Sequence, residues 1–387
     1  MSWRIPLTEV TLGEEEAQAA ADVVRSGWLT QGERVIAFER EFAAMVGVEH
    51  AVAVNNCTVG LELAYLAAGV GPGDEVVLPA LTFVATANAA VRLGATPVFA
   101  DVTSEDDLCV DPRSIAHRAN LRTRAVVVVH YAGFPADVAA TRIALREKGL
   151  GHIPVIEDCA HAPGAKGRGV DAARVCGALG EVAAFSFFSN KNMTTGEGGM
   201  VTTPDPAIAR ALRLVRSHGM STTTWDRHRG HAFTYDVSRV GTNARMDEVR
   251  AAIGRVQLTR LAGANAQRAQ VVRWYREALA REDIPGLRVP FSDGDYGAGS
   301  HHIFVVLLPD GSDRQGVMAS LRADGIQSSV HYPPTHRFSA YARHTTVLPV
   351  TDGITARLLT LPLAHSMSRD AVYAVVDALR RALSRNA

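Results

Sequence analysis

From residue 51 to residue 156 the chain repeats one pattern that few architectures accept: a short unbroken apolar run, a polar or glycine-bearing turn, then an amphipathic stretch of helical period. The apolar runs are Ala51–Val54, Glu75–Leu78, Thr96–Ala100, Ala125–His130 and Pro154–Ile156; helical stretches lie at Val59–Ala68, Thr82–Leu93 and Ala136–Glu147. Apolar runs without alternation belong to strands buried on both faces, and strands separated by helices are joined in parallel. The pattern predicts an α/β fold with a mostly parallel sheet flanked by helices on both faces. Val182–Phe187 and Gly199–Thr203, joined by a Gly-rich loop, add two strands and suggest one antiparallel edge.

Either side of this block the pattern changes. Glu14–Glu16 opens a helix that runs to Arg25, as expected where carboxylates meet a helix N-terminus, and a second follows over Glu33–Val46. Arg245–Arg281 is helical almost throughout and reads as a bridge into a second unit. That unit comprises a strand at His301–Leu308, a helix at Ser312–Ala323, a strand at Gln327–His331 and a helix at Ser368–Leu383. The expectation is a large domain over 1–250, including the N-terminal helices, and a small α+β domain over 251–387 that carries the bridging helix.

Composition removes several classes of function. Forty basic residues offset forty acidic ones, so no basic surplus points to nucleic acid. Cys57, Cys109, Cys159 and Cys176 form neither a disulfide framework nor a CxxC metal pair, and no metal site is expected. No apolar stretch reaches membrane-span length and the opening MSWRIPLTEV lacks a signal pattern, so a cytoplasmic protein acting on small molecules is expected. Only Lys148, Lys166 and Lys191 stand against 37 arginines, so lysine chemistry has three candidates.

Lys191 lies in Phe185-Ser-Phe-Phe-Ser-Asn-Lys-Asn-Met-Thr-Thr-Gly-Glu-Gly-Gly-Met200, where a buried strand runs into a turn whose glycines let backbone approach a ligand. A lysine against apolar walls loses some preference for its charged form and can form a Schiff base; a surface-loop lysine is the other reading. Lys148 and Lys166 read as solvated. Asp158 ends the strand of Pro154-Val-Ile-Glu-Asp-Cys-Ala-His161, the end at which open α/β sheets bind ligands. It could hold a pyridine nitrogen protonated, or it could simply cap a helix. Strand geometry sends Glu157 to the opposite face. Asn56-Cys57-Thr58 occupies a strand-to-helix turn suited to an anion, Ser186 could add a hydroxyl, and Phe83 could stack on a flat ring. Arg210, Arg213 and Arg216 share a helix face, read first as solvated and second as a diphosphate contact.

In combination these segments resemble the DegT-type aminotransferases, fold type I enzymes that use pyridoxal 5'-phosphate (PLP). Further matching segments are Ser26-Gly-Trp-Leu-Thr-Gln-Gly32, Gly71-Pro-Gly-Asp-Glu-Val76, Gly94-Ala-Thr-Pro-Val-Phe99, Asn243-Ala-Arg-Met246 and His331-Tyr-Pro-Pro334. The resemblance implies that Lys191 is the Schiff-base lysine and that Asp158 pairs with the ring nitrogen. It puts His161 near the ring hydroxyl, Phe83 on the ring face, and Asn56, Cys57, Thr58 and Ser186 at the phosphate. Asn243 would reach the phosphate of a partner subunit, which implies a homodimer with shared sites. Trp28, Thr30, His331 and Tyr332 would face substrate. The implied reaction moves an amino group from glutamate or glutamine to a nucleotide-linked keto sugar in amino-sugar biosynthesis for a secondary metabolite or surface glycan. Amination of a keto-inositol is the alternative, and a non-catalytic regulatory homologue is the third reading. The family's Gly-Tyr-Asn-Tyr-Arg-Met is here Gly241-Thr-Asn-Ala-Arg-Met246, so two aromatics are absent.

Overall fold

The computed structural model describes residues 3–385, apart from 223, 231–232, 292–297 and 345 and the side chain of residue 226. Helices α1 (Glu14–Ser26) and α2 (Glu33–Val46) each end on a left-handed glycine, Gly27 and Gly47. The predicted alternation follows: β1 (His50–Val54), α3 (Cys57–Ala67), β2 (Glu75–Pro79), α4 (Ala85–Arg92), β3 (Thr96–Ala100), α5 (Pro112–Arg118), β4 (Thr123–Val129), α6 (Val138–Glu147) and β5 (Val155–Asp158). Then come β6 (Val182–Ser186), β7 (Gly199–Thr203), α7 (Pro206–Arg216), α8 (Thr224–His228) and the 35-residue α9 (Glu248–Glu282). The chain finishes with β8 (Phe304–Leu307), α10 (Arg314–Ala323), α11 (Pro349–Thr355), β9 (Leu358–Leu361) and α12 (Arg369–Arg385). Side chains start many of the helices: Asn56, Asp111, Asp137, Asp205, Asp247 and Asp313 each accept a backbone N–H of the first turn.

Seven strands form one sheet in the order β1-β7-β6-β5-β4-β2-β3, and β8 and β9 form an antiparallel pair. The contacts among β3, β2, β4, β5 and β6 are parallel. β7 is antiparallel, as expected, but it is not an edge: it sits inside the sheet, paired with β1 on one side and β6 on the other. Each strand feeds two cores by strict alternation. Ala53, Val77, Val126, Val155 and Phe185 join one cluster with Phe38, Phe42 and Phe187, while Val54, Leu78, Val127, Ile156 and Ala184 join Leu61, Tyr65 and Phe99 on the other face. A third core gathers α9, α12, β8 and β9 around Tyr275, Phe304 and Leu379, and Ile5 packs into it. Helix α9 touches α1, α2 and α12. No helix among the described residues is long and apolar enough to cross a membrane.

Two further expectations need correction. Residues 327–331 form no strand: Ile326 bridges Ile5 and Ser329 bridges Thr360, single pairings with two different partners that build no ladder. Arg216 is not on a solvated face. It is 2% exposed, and its Nη1 donates to the Glu39 carboxylate and, at 2.7 Å, to the Ala53 carbonyl, so that α2, β1 and α7 are pinned together. Cutting one member of such a pair costs about 3–5 kcal/mol, because the other charge stays buried.

Candidate active site

Alternation along β5 decides which acid serves which face. Glu157 points into the Phe38 side. It accepts N–H groups from Gly177, Leu179 and Gly180 at 2.8, 2.8 and 2.6 Å and lies 2.9 Å from His130 Nε2. His130 Nδ1 accepts the Ala136 N–H, so the ring proton sits on Nε2 and is donated to Glu157. Burial alone would raise the Glu157 carboxyl; the His130 hydrogen bond and field and the Gly177 and Gly180 N–H groups outweigh it and hold the group below its ordinary range. His130, Glu157 and Cys159 cluster as metal ligands do, but both ring nitrogens and both carboxylate oxygens are already engaged.

Asp158 points to the opposite face, toward α4. Its Oδ2 accepts the Thr86 hydroxyl at 2.8 Å and its Oδ1 the Ala160 N–H at 3.1 Å. Burial raises this carboxyl, against the opposing pull of those two donors and of the positive charge at Lys191. Lys191 lies in the loop that follows β6, the strand beside β5. Burial brings its amine down from 10.5 to about 8, with the fields of Cys57 and Asp158 acting the other way. The amine has no hydrogen-bond or ion-pair partner among the described residues. Lys148 and Lys166 are exposed.

The Lys191 loop is held from several sides. Asn192 donates to Asn265 Oδ1 at 2.8 Å and to the Ser300 carbonyl at 2.7 Å, and its Oδ1 lies 3.0 Å from His302 Nδ1. Arg268, 2% exposed, donates to the carbonyls of His301, His302 and Leu363, and burial lowers its guanidinium to about 10. Behind the loop, β7 crosses the turn at the start of α3. A Cβ on Gly199 would lie 2.8 Å from the Asn56 carbonyl carbon and 2.9 Å from the Cys57 nitrogen, so only glycine lets β7 approach so closely. Ser186 pairs with that same Gly199. Asn56 caps α3 through Val59 N–H, and Cys57 is buried with its thiol pushed up by burial.

On the other flank, His161 Nε2 lies 2.9 Å from the Tyr332 hydroxyl, and its Nδ1 is buried without a partner. The Phe83 ring is 55% exposed and 5.7 Å from the Tyr332 ring. His331 Nδ1 meets the Thr360 hydroxyl at 3.1 Å, and burial brings this imidazole down to about 4. Trp28 and Thr30 line two clefts other than the one that holds Lys191. Trp28 packs on Trp225 and His228, and Thr30 shares its cleft with Arg245. Asn243 is exposed and bridges Ser217, just past the end of α7.

Thr86, Asn192, Asn265, Ser300, His302 and Arg268 escaped the sequence reading. Thr86 alone carried a usable signal, as one of the few polar residues on a helix otherwise rich in buried alanine. The residues fit a PLP molecule. An amine of lowered basicity, a buried carboxylate held by two donors, an exposed aromatic face, a partnerless ring nitrogen and a helix N-terminus with a glycine cradle match its aldehyde, ring nitrogen, ring face, ring hydroxyl and phosphate in chemistry.

The sequence model of the DegT/DnrJ/EryC1/StrS aminotransferase family matches residues 10–380. The chain is 38% identical over 385 residues to the spore coat polysaccharide biosynthesis protein SpsC of Bacillus subtilis, covering 97% of this chain and 96% of that protein. Among solved structures, the aminotransferase TlmJ from Streptoalloteichus hindustanus is 36% identical with a TM-score of 0.87, covering 98% of each chain. DesV of S. venezuelae, solved in complex with a ketimine intermediate, is 34% identical with a TM-score of 0.87 and the same coverage.

Proposed function

Because this chain belongs to the DegT/DnrJ/EryC1/StrS aminotransferase family, we propose that it moves an amino group from glutamate or glutamine to a nucleotide-linked keto sugar in amino-sugar biosynthesis. The enzyme is a PLP-dependent aminotransferase. When bound, the cofactor supplies an aldehyde for an amine and a cationic ring that accepts electrons from the carbon losing its proton.

The protein's own groups do the rest. Lys191 Nζ would hold the cofactor and would be the base that takes up and returns the substrate's proton; at about 8 its basicity suits transfer in both directions near neutral pH. Asp158, oriented by Thr86 and Ala160, keeps the ring nitrogen protonated. Ser186 and the N–H groups of Cys57 and Thr58 hold the phosphate, and Asn56 fixes that helix start. Phe83 offers the stacking face and His161 lies against the ring hydroxyl. Asn243, turned outward here, completes the phosphate site of a second copy, so the working form is a homodimer.

The observation that carries this reading is the buried Asp158 carboxylate at the end of β5, held by Thr86 and Ala160, with Lys191 in the loop that follows the adjacent strand β6. Support for an anionic acceptor comes from Arg245, which lies with Thr30 in a cleft apart from Lys191 and so, like Asn243, would serve the site of the second copy; it has a buried Nη1 without partner and no carboxylate paired to it among the described residues. The test offers nucleotide-linked keto sugars and keto-inositols in parallel, with glutamate or glutamine as donor. Amination of a nucleotide sugar by the wild type and loss of both turnover and visible cofactor absorbance in Lys191→Ala are expected. Turnover of keto-inositols alone would refute the acceptor, and normal turnover by Lys191→Ala the whole reading.

A further inference from the structure

His161 presents a problem that the roles above leave open. Its ring is 4% exposed, packed 4.3 Å from the His302 ring, and one of its two nitrogens has no partner. A buried polar atom left unpaired is costly, and it points to a ligand atom that completes it. The other nitrogen, Nε2, lies against the Tyr332 hydroxyl at 2.9 Å, and that hydroxyl has no second partner among the described residues. In a neutral imidazole one nitrogen carries the proton and the other accepts.

The surroundings keep both partners neutral. Burial, with the charges of Lys191 and His331, holds His161 well below its ordinary range, and burial, with Asp158, holds the Tyr332 phenol above its own. Tyr131, whose ring lies 6.4 Å from His161, spends its hydroxyl on the His331 carbonyl, and His302 spends Nδ1 on Asn192. None of these groups bonds to Nδ1 of His161. A neutral phenol whose one partner is a ring nitrogen satisfies itself by donating to it, which leaves the imidazole proton on the far side.

We propose that Tyr332 is a positioning residue rather than a substrate contact: its hydroxyl fixes His161 as the Nδ1–H tautomer, so that Nδ1 donates a hydrogen bond to the anionic ring oxygen of PLP. The assignment rests on the placement of His161 beside that oxygen proposed above. A donor fixed on the oxygen stabilises its negative charge. The proton on the nitrogen joining Lys191 to the cofactor is then held less tightly and leaves at lower pH.

The experiment is a spectrophotometric pH titration of the visible cofactor band in the holoenzyme, with PLP occupancy confirmed after alkaline release. Tyr332→Phe keeps the ring packing and removes only the hydroxyl. It is expected to raise the titration midpoint by up to about one unit, tenfold in proton affinity, the limit set by losing one hydrogen bond to a charged oxygen, since the freed imidazole divides its proton between its two nitrogens. His161→Gln supplies an amide N–H that has no tautomers, so adding Tyr332→Phe to it is expected to shift nothing further. An unchanged midpoint in Tyr332→Phe, or an equal shift in the His161→Gln background, overturns the assignment. His161→Ala titrating like the wild type would instead remove the parent placement of His161, and the tautomer lock with it.

Discussion

Thr86→Val tests how the carboxylate at Asp158 is held. Thr86 is fully buried, and valine keeps its shape and γ-methyl while deleting the hydroxyl that donates to Asp158 Oδ2 at 2.8 Å. Asp158 has one other donor, the Ala160 N–H at 3.1 Å, so the change leaves Oδ2 with none. A charge-assisted hydrogen bond of this kind contributes about 1.5–3 kcal/mol. At 1.36 kcal/mol per unit, the Asp158 carboxyl, already raised by burial, should rise by about a further one to two units. The ionised carboxylate is the form that grips a ring cation, so PLP should bind roughly tenfold or more weakly. The acidic limb of the donor half-reaction should move up in pH by the same one to two units, about one per lost 1.4 kcal/mol. Stopped-flow decay of the visible band on adding glutamate, across a pH series, reads the limb; equilibrium dialysis reads the affinity. Thr86→Ser retains the hydroxyl and should track the wild type. If Thr86→Val and Thr86→Ser have the same acidic limb, the hydroxyl does not support Asp158 and the reasoning fails.

Two further outcomes follow from the charges. Glu157→Gln replaces an acceptor of three backbone N–H groups with an amide that must turn its own donors toward some of them, so stability at pH 7 should fall by about 3 kcal/mol or more. Because the folded-state value of Glu157 lies below 4.5, its stabilisation is complete above that pH and lost as pH falls through the folded value; denaturant melts should show a smaller acid-side decline in Glu157→Gln than in the wild type. Reconstitution of PLP-free protein should speed up with rising pH with a midpoint near the value of about 8 for Lys191, since the neutral amine is the nucleophile; a midpoint near 10.5 would contradict the burial argument.

Much of this arrangement could be read from the chain. Unbroken apolar runs gave the sheet because burial on both faces leaves no polar alternation, and period two sent Glu157 and Asp158 apart. What failed is what depends on partners distant in sequence. Helical spacing put Arg216 on a face with Arg210 and Arg213, but nothing local announced Glu39 waiting beneath it. A strand's own residues state its type and not its neighbours, so β7 read as an edge although it has strands on both sides. At the site, Lys191 and Asp158 stood out through local context. Thr86 did not, and Tyr332 was read as a substrate contact, because a hydroxyl acquires its role only from the carboxylate or imidazole that folding brings to it.

The interior position of β7 also bears on how the protein is made. Its partner β1 is the first strand to leave the ribosome, yet Val54 pairs with Gly199, so β1 stays unpaired until β7 has been synthesised. At translation rates of about 5–20 residues per second, that wait lasts on the order of ten seconds or more. Through that interval His50–Val54 is an apolar segment with free backbone groups on a nascent chain, the stretch where a chaperone would be needed and where premature contact between neighbouring chains on a polysome would begin.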